Sequence, residues 1–380
     1  MIIRLYSIEF FFAIAFILFL SGYFYTGDLV QYKIGSVALI LHGVAFFSFI
    51  FGVVIASFLD SGSNHKANSK KELVIGRGFY AFSYLVSFLG ILIAVLQIQA
   101  TTSIIVYFEL LFSGYDSNLR ESFLLSSKEG GLPGVVKMFA NTPLAVFLLV
   151  CGVIFFFNID KKNKTKLKFL LMFSFLMLSV KVFLSLDRMS IFAVAFPVII
   201  YFFKYRLYLK LYPYFLLLFI IFFLNYISSK RLEGYNIFDF LALYFNLGLV
   251  NLELVHNSLT NYSYGFQTIF APLVFIGRFF GFDLESDQGF FWEWNPAQYS
   301  VGYAFMDFGY FYFCFFIFLG FFSRFLTRAA YSGSIIGASS YFVFFYGLMS
   351  FVTVPVIRGL EFYVAVLIST IIPYFFCRVK

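Results

Sequence analysis

The stretch that decides the fold is residues 34–59, IGSVALILHGVAFFSFIFGVVIASFL, which contains no Asp, Glu, Lys or Arg. A helix rises 1.5 Å per residue, so about 20 apolar residues cross the ~30 Å hydrocarbon core of a bilayer. Within lipid each backbone N–H and C=O must be hydrogen-bonded inside the chain, and a helix achieves this without a partner segment. The stretch therefore predicts a transmembrane helix.

The whole chain has a composition of the same kind. Of its 380 residues 62% are hydrophobic, 24% aromatic and 12% charged, and the mean hydropathy is +0.91. A soluble domain is about 45–50% apolar and about 25% charged, so this chain lacks the polar surface to fold in water. Disordered, fibrous and disulfide-stapled proteins are excluded by the same numbers. The net charge of +8 does not predict a nucleic-acid partner, because the basic residues form short clusters between apolar runs.

Ten apolar runs are long enough, some of them marginally, to be membrane spans. The sequence therefore predicts an all-α, polytopic integral membrane protein with about ten transmembrane helices in a single transmembrane domain, 1–380. The runs are 5–21, 34–59, 79–99, 141–158, 169–186, 190–203, 211–227, 304–323, 334–352 and 361–376.

The distribution of charge predicts the orientation. With both termini in the cytoplasm, the inner segments carry 17 of the 27 basic residues and only three acids. An excess of Lys and Arg on cytoplasmic loops is the usual topological signal. The inner basic residues are Arg4, Lys66, Lys70, Lys71, Arg77, Lys161, Lys162, Lys164, Lys166, Lys168, Lys204, Arg206, Lys210, Arg324, Arg328, Arg378 and Lys380.

The outer side receives the two long segments. One is the loop 100–140, and the other is the large loop 228–303, in which 237–259 and 264–282 are apolar enough to be amphipathic or re-entrant helices. Long loops on a rigid scaffold often carry function. The inner loops contain no Gly-rich phosphate-binding motif, so we expect no nucleotide and no other cofactor.

Outer arginines are the candidate anion-binding residues. A guanidinium stays charged and binds phosphate oxygens in a bidentate manner, which suits a lipid-linked phosphate at the membrane surface. Structural ion pairs with Asp187 or Glu361, and extension to the lipid headgroups, are the competing interpretations. The four residues are Arg188, Arg231, Arg278 and Arg358.

Asp307 and His256 are the candidate catalytic residues. Asp307 lies where the eighth span is expected to begin, and a carboxylate there either caps the helix or acts as a base towards a hydroxyl group. His256 is the one histidine on the predicted outer side and could be the base, although a lone histidine often has a structural role. Further outer acids are Glu253, Asp283, Asp287 and Glu293. The three histidines have no zinc-binding spacing, so we expect no metal site.

Three local stretches, together with the order of spans and loops, resemble the Wzy-type O-antigen polymerases, the oligosaccharide repeat-unit polymerases of bacterial envelopes. The first is 186–190 (LDRMS), although Asp187 stands where the family often has Ser. The second runs from Tyr264-Gly265 to Arg278, and the third from Asn295-Pro296 to 307–309 (DFG).

The resemblance implies a GT-C-like glycosyltransferase of the bacterial inner membrane. Such an enzyme joins undecaprenyl-diphosphate-linked oligosaccharides on the periplasmic face, beside a chain-length regulator and a flippase. The arginines would bind the diphosphate, a carboxylate or His256 would take a proton from the acceptor, and aromatic side chains would stack on sugars. Three alternatives stay open. One is an O-antigen ligase on the same scaffold, and another is a transporter or flippase for lipid-linked oligosaccharides, which the absence of a recognisable inverted repeat disfavours. The third is a membrane acyltransferase, for which the outer side has no His-based motif.

Overall fold

A computed structural model of the chain describes residues 7–24, 34–59, 71–100, 103–113, 136, 138–185, 188–204, 218, 222, 237–259, 261–264, 268, 272–273, 276–277, 280, 300–351 and 356–380. These residues are mostly helical, as predicted, with one small β-sheet. The predicted loop 100–140 includes a helix, α4, and the predicted loop 228–303 includes α8, which coincides with the apolar segment 237–259.

Twelve α-helices and two strands are present in the described ranges. The helices are α1 (Ile8–Phe19), α2 (Ser36–Phe58), α3 (Arg77–Gln99), α4 (Ile104–Ser113), α5 (Thr142–Phe156), α6 (Lys161–Ser185), α7 (Arg188–Lys204), α8 (Ile237–Ser258), α9 (Ser300–Phe308), α10 (Tyr312–Tyr331), α11 (Ile335–Phe351) and α12 (Leu360–Phe376). The strands are β1 (Leu73–Ile75) and β2 (Cys377–Val379), and short 3₁₀ turns lie at Leu20–Phe24, Met138–Asn141, Gly309–Phe311 and Val356–Arg358.

Five helical segments are long and apolar enough to cross a membrane: Ser36–Phe58, Arg77–Gln99, Met138–Phe156, Lys161–Leu184 and Ser300–Tyr331. They coincide with five of the ten predicted runs. Shorter apolar helices occupy Ile8–Phe24, Ile335–Ser350 and Leu360–Phe376, which correspond to three more. The run 190–203 corresponds to α7, and the run 211–227 lies outside the described residues except at Leu218 and Phe222.

Contacts within the chain group the residues into two compact units. Unit 1 comprises Met1–Asn68, Phe238–Ser332 and Phe345–Phe362, and unit 2 comprises Ser69–Ile237, Gly333–Phe344 and Tyr363–Lys380.

Helices α2 and α10 form the centre of unit 1 and approach each other through glycine. A Cβ atom on Gly52 of α2 would overlap the Ile317 carbonyl oxygen, and one on Gly320 of α10 would overlap the Phe49 carbonyl oxygen. Small residues let two helix backbones come this close, which is how membrane helices gain packing energy without a hydrophobic driving force between them. Aromatic side chains of α1, including Phe12, fill the space beside this contact.

Helix α5 is the core of unit 2. Of its fifteen residues all except Ile154 are buried, and a helix that is apolar on every side is typical of such a central position. Helices α3 and α6 pack against it. The close approach of α11 depends on Gly152, where a Cβ atom would overlap the Ala338 carbonyl oxygen.

Segments that the charge pattern predicts to be cytoplasmic lie together in unit 2. Strand β1 pairs antiparallel with β2 at the C-terminus, with Val74 opposite Arg378. The backbone at Asn158, just before the basic start of α6, hydrogen-bonds Lys71 and Leu73. The lysine stem of Lys71 also packs against Gly333, which has a φ of +82°. Four separate segments with the same predicted side thus meet at one place.

Candidate active site around Asp307 and His256

Two polar side chains of helix α8 hydrogen-bond the backbone of unit 1, one just after α1 and the other at the start of α2. Asn246 Nδ2 donates to the Gly22 carbonyl oxygen at 2.8 Å. Glu253 Oε2 accepts from the Ala38 N–H at 2.8 Å, close to the N-terminus of α2. The N-cap of α2 is Gly35, which has no side chain to accept a hydrogen bond, so the carboxylate of Glu253 supplies the acceptor from 215 residues away. Glu253, one of the candidate acids, therefore has a helix-capping contact.

Asp307 lies in the last turn of α9, not at the start of a helix as the sequence predicts. Its side chain is fully buried. Oδ1 accepts from Ser263 Oγ at 2.7 Å, while Oδ2 accepts from the Thr268 N–H at 2.6 Å and from Thr268 Oγ1 at 2.5 Å. A buried carboxylate is costly unless it is paired or hydrogen-bonded, and these donors stabilise it.

Backbone contacts extend this arrangement along the same segment. The Ser263 N–H donates to the Met306 carbonyl oxygen and the Tyr264 N–H donates to that of Asp307. Tyr264 has a φ of +48°, a conformation that costs a residue with a Cβ atom about 1–3 kcal/mol and persists only where the surroundings impose it. We call the contacts of Ser263, Tyr264 and Thr268 with Met306 and Asp307 the Asp307 anchor.

Gly309 continues the chain directly after the anchor, with a φ of +54°. A Cβ atom at this position would lie 2.6 Å from the ring of Tyr262, so both the backbone conformation and the close approach require glycine. The anchor and Gly309 together set the direction in which the chain leaves α9 towards Tyr310.

His256 lies near the C-terminus of α8 and contacts the residue that follows Gly309. Its Nε2 atom is 3.1 Å from the Tyr310 hydroxyl oxygen, and its Nδ1 atom is 3.1 Å from Asn257 Oδ1. The imidazole ring packs against Phe305, with ring centroids 5.6 Å apart, and Phe305 in turn contacts the Tyr310 ring. Three residues from α8, α9 and the following turn thus surround the histidine.

Hydrogen-bond roles at His256 follow from its neighbours. An amide oxygen only accepts, so Nδ1 carries the proton and donates to Asn257 Oδ1. With that proton on Nδ1, the neutral form of the ring accepts at Nε2 from the Tyr310 hydroxyl. His256 itself is half-buried, whereas Tyr310 is 64% exposed. A basic nitrogen near an open surface is an arrangement that can accept a proton from a substrate.

The side chains of the four candidate arginines lie outside the part of the chain that the structure describes. Arg188 is the first residue of α7 and Arg358 lies in the 3₁₀ turn Val356–Arg358, with neither side chain described. Arg231 and Arg278 lie outside the described residues, as do Asp283, Asp287 and Glu293. The anion site made by these arginines stays a prediction, and so do the catalytic roles of Asp307 and His256.

Two buried charges were not predicted as functional candidates. Lys181 is 5% exposed in α6, and its Nζ atom is 3.5 Å from Ser190 Oγ in the first turn of α7. Glu9 is 2% exposed in the first turn of α1, 3.9 Å from Arg324 Nη1 of α10. Each is a charge within or beside an apolar run, and that signal was available in the sequence. Tyr310 had no such signal, because it is one of 27 tyrosines.

Within the described ranges no group of three His, Cys, Asp or Glu side chains is arranged to hold a metal ion. Comparisons of the chain with protein-family models, with curated proteins and with solved structures found no match. The argument for a function therefore rests on the residues and their geometry.

Proposed function

We propose that this chain is a multi-pass glycosyltransferase of the bacterial inner membrane that polymerises undecaprenyl-diphosphate-linked oligosaccharide repeat units on the periplasmic face. The observation that carries the proposal is the His256–Tyr310 pair, in which the imidazole Nε2 atom lies 3.1 Å from the hydroxyl oxygen of the exposed Tyr310. His256 lies in the segment 228–303, which the charge pattern assigns to the outer side. Tyr310 lies in the predicted span 304–323, within the helical segment Ser300–Tyr331, which is long and apolar enough to cross a membrane.

The chemistry that this function needs is a proton acceptor, a leaving-group site and no nucleotide. His256 is the proton acceptor, because an acceptor hydroxyl must lose its proton as the new glycosidic bond forms. Arg188, Arg231, Arg278 and Arg358 are proposed to stabilise the diphosphate as it leaves. Asp307 is proposed to hold the segment in place, since its oxygens already accept from Ser263 and Thr268.

Deletion of the gene in the source bacterium tests the proposal. A polymerase mutant still attaches single repeat units to its surface glycan, so a gel shows one short band in place of a ladder, and the wild-type gene restores the ladder. Loss of every attached unit would indicate a ligase. Lipid-linked units that accumulate without reaching the periplasm would indicate a flippase, and either outcome would overturn the proposal.

Complementation with arginine variants tests the leaving-group site. We expect Arg278→Ala and Arg188→Ala to leave single units, while Arg378→Ala restores the ladder. Arg378 is an exposed arginine in β2 on the predicted cytoplasmic side and so controls for loss of positive charge. A normal ladder from normally inserted Arg278→Ala and Arg188→Ala proteins would contradict the assignment of these residues.

A further inference from the structure

We infer that Tyr310 is a catalytic residue, whose hydroxyl group passes the proton of the acceptor sugar to His256. The inference rests on the proposed function and deepens it, because it names the group that the acceptor meets first. It depends on the hydrogen-bonded series formed by Asn257, His256 and Tyr310.

The geometry leaves one basic atom in this series. Nδ1 of His256 is occupied as a donor to Asn257 Oδ1, so Nε2 is the atom that can take a proton. Nε2 is already contacted by the Tyr310 hydroxyl at 3.1 Å. A substrate hydroxyl therefore reaches the base either by displacing Tyr310 or by donating to its oxygen.

The exposure of Tyr310 favours the route in which the substrate hydroxyl donates to the Tyr310 oxygen. The His256 ring is half-buried and packs against Phe305, which is 2% exposed. Tyr310 is 64% exposed, so it is the open end of the series. The Asp307 anchor lies only three residues before Tyr310 and is fixed by buried hydrogen bonds. The position of Tyr310 is thus set by the anchored backbone before it and by the hydrogen bond of its hydroxyl group with His256. Proton transfer requires such pre-organisation.

The step balances as follows. The acceptor hydroxyl oxygen bonds to the anomeric carbon of the donor, and the bond from that carbon to the diphosphate oxygen breaks. The bonding electron pair leaves with undecaprenyl diphosphate. The acceptor proton moves to the Tyr310 oxygen while the phenolic proton of Tyr310 moves to His256 Nε2. Tyr310 ends the step neutral and His256 ends it as the imidazolium, which then loses its proton to water.

The experiment uses the full chain in lipid nanodiscs, with lipid-linked repeat units extracted from the deletion strain as the probe. Tyr310→Phe removes one oxygen and keeps the ring that packs on Phe305. We expect its kcat to fall about 10²-fold or more with little change in KM, since a positioned acid–base group contributes about 10²- to 10⁴-fold. Tyr23→Phe, the same change at another partly exposed tyrosine of unit 1, is expected to leave kcat unchanged.

Double variants separate a catalytic role from a structural one. If Tyr310 and His256 move one proton as a unit, Tyr310→Phe combined with His256→Gln loses no more activity than His256→Gln alone. Tyr310→Phe is also expected to retain the wild-type thermal midpoint. A kcat within twofold of wild type, additive losses in the double variant, or a loss that follows thermal stability would each overturn the inference. Wild-type protein that forms no polymer from the probe would instead overturn the proposed function.

Discussion

Replacement of Asp307 by Asn and by Ala distinguishes an anchoring carboxylate from a catalytic one. In the structure Oδ2 accepts twice from Thr268 and Oδ1 accepts once from Ser263. An Asn side chain can direct its amide oxygen at both Thr268 donors and its NH₂ group at Ser263 Oγ. Ser263 can accept this bond because its own proton has a second acceptor, the Met306 carbonyl oxygen at 3.2 Å. Asp307→Asn thus keeps these donors of Ser263 and Thr268 paired.

The loss of stability expected for each substitution of Asp307 follows from these contacts. A hydrogen bond to a charged group contributes about 1.5–3 kcal/mol, and removal of a partner from a buried network leaves the other groups unsatisfied. Because the two Thr268 bonds share one oxygen, their contributions are not additive, and we expect Asp307→Ala to destabilise the anchor by about 3–5 kcal/mol. Asp307→Asn loses only the charge-assisted part, for which we expect about 1 kcal/mol.

Hydrogen exchange measures this difference locally. Since 1.4 kcal/mol corresponds to a tenfold change in an equilibrium constant, Asp307→Ala is expected to lower the protection of the Thr268 amide about 10²- to 4 × 10³-fold, and Asp307→Asn about fivefold. The surface glycan gives the functional readout. Asp307→Asn is expected to retain the ladder, and Asp307→Ala to lose it together with the anchor.

This reasoning would be refuted by an Asp307→Asn protein that makes no polymer although its Thr268 amide keeps its protection from hydrogen exchange. Asn keeps the hydrogen bonds but cannot accept a proton as a base. Such a result would assign Asp307 the catalytic role that its sequence context also predicts, and the anchor would then be only the means of holding a reactive group.

Two further predictions concern the scaffold. Gly320→Ala places a Cβ atom against the Phe49 carbonyl oxygen and is expected to destabilise the detergent-purified protein by about 1–3 kcal/mol in thermal unfolding. Gly43→Ala in α2, where nothing lies within 4 Å of the added Cβ atom, is expected to be neutral or slightly stabilising. Equal effects of the two substitutions would contradict the close helix contact. At the start of α6 the Asn163 N–H and side-chain amide hold the pKa of Asp160 below its ordinary value, so protection of the first helical turn is expected to be full above about pH 4 and to fall as the pH drops through the lowered pKa. Asp160→Asn should abolish that pH dependence in hydrogen exchange, and a dependence that survives the substitution would assign it to another group.

Much of the fold could be predicted from the sequence, because hydropathy and charge act locally along the chain. Residues 34–59 became α2 and the basic cluster at 161–168 became the start of α6, since each signal lies within the element that it predicts. The close helix contacts within each unit could not be predicted. One of them joins Gly52 and Ile317, and 27 glycines give no indication of which ones lie against another helix.

The candidate site was predictable as a set of residues but not as an arrangement. His256 and Asp307 were singled out from residue type and predicted side, yet the residues that define their chemistry lie far away along the chain: Tyr310 is 54 residues from His256, and Ser263 is 44 residues from Asp307. Residue type alone does not distinguish a buried aspartate that anchors a segment from an exposed aspartate that acts in catalysis. Only the positions of the donors distinguish them.

The anchor and the histidine pair are coupled by their closeness along the chain. Asp307 and Tyr310 are separated by Phe308 and by Gly309, whose positive φ and contact with Tyr262 fix the turn between them. A displacement of the anchor therefore moves the Tyr310 hydroxyl relative to His256, and the 3.1 Å contact between them does not tolerate a shift of 1 Å. Residues that never touch the substrate, such as Thr268, are thus expected to affect the rate through this turn. Thr268→Val, which keeps the backbone donor and removes the hydroxyl donor, should weaken the anchor less than Asp307→Ala and lower kcat correspondingly less.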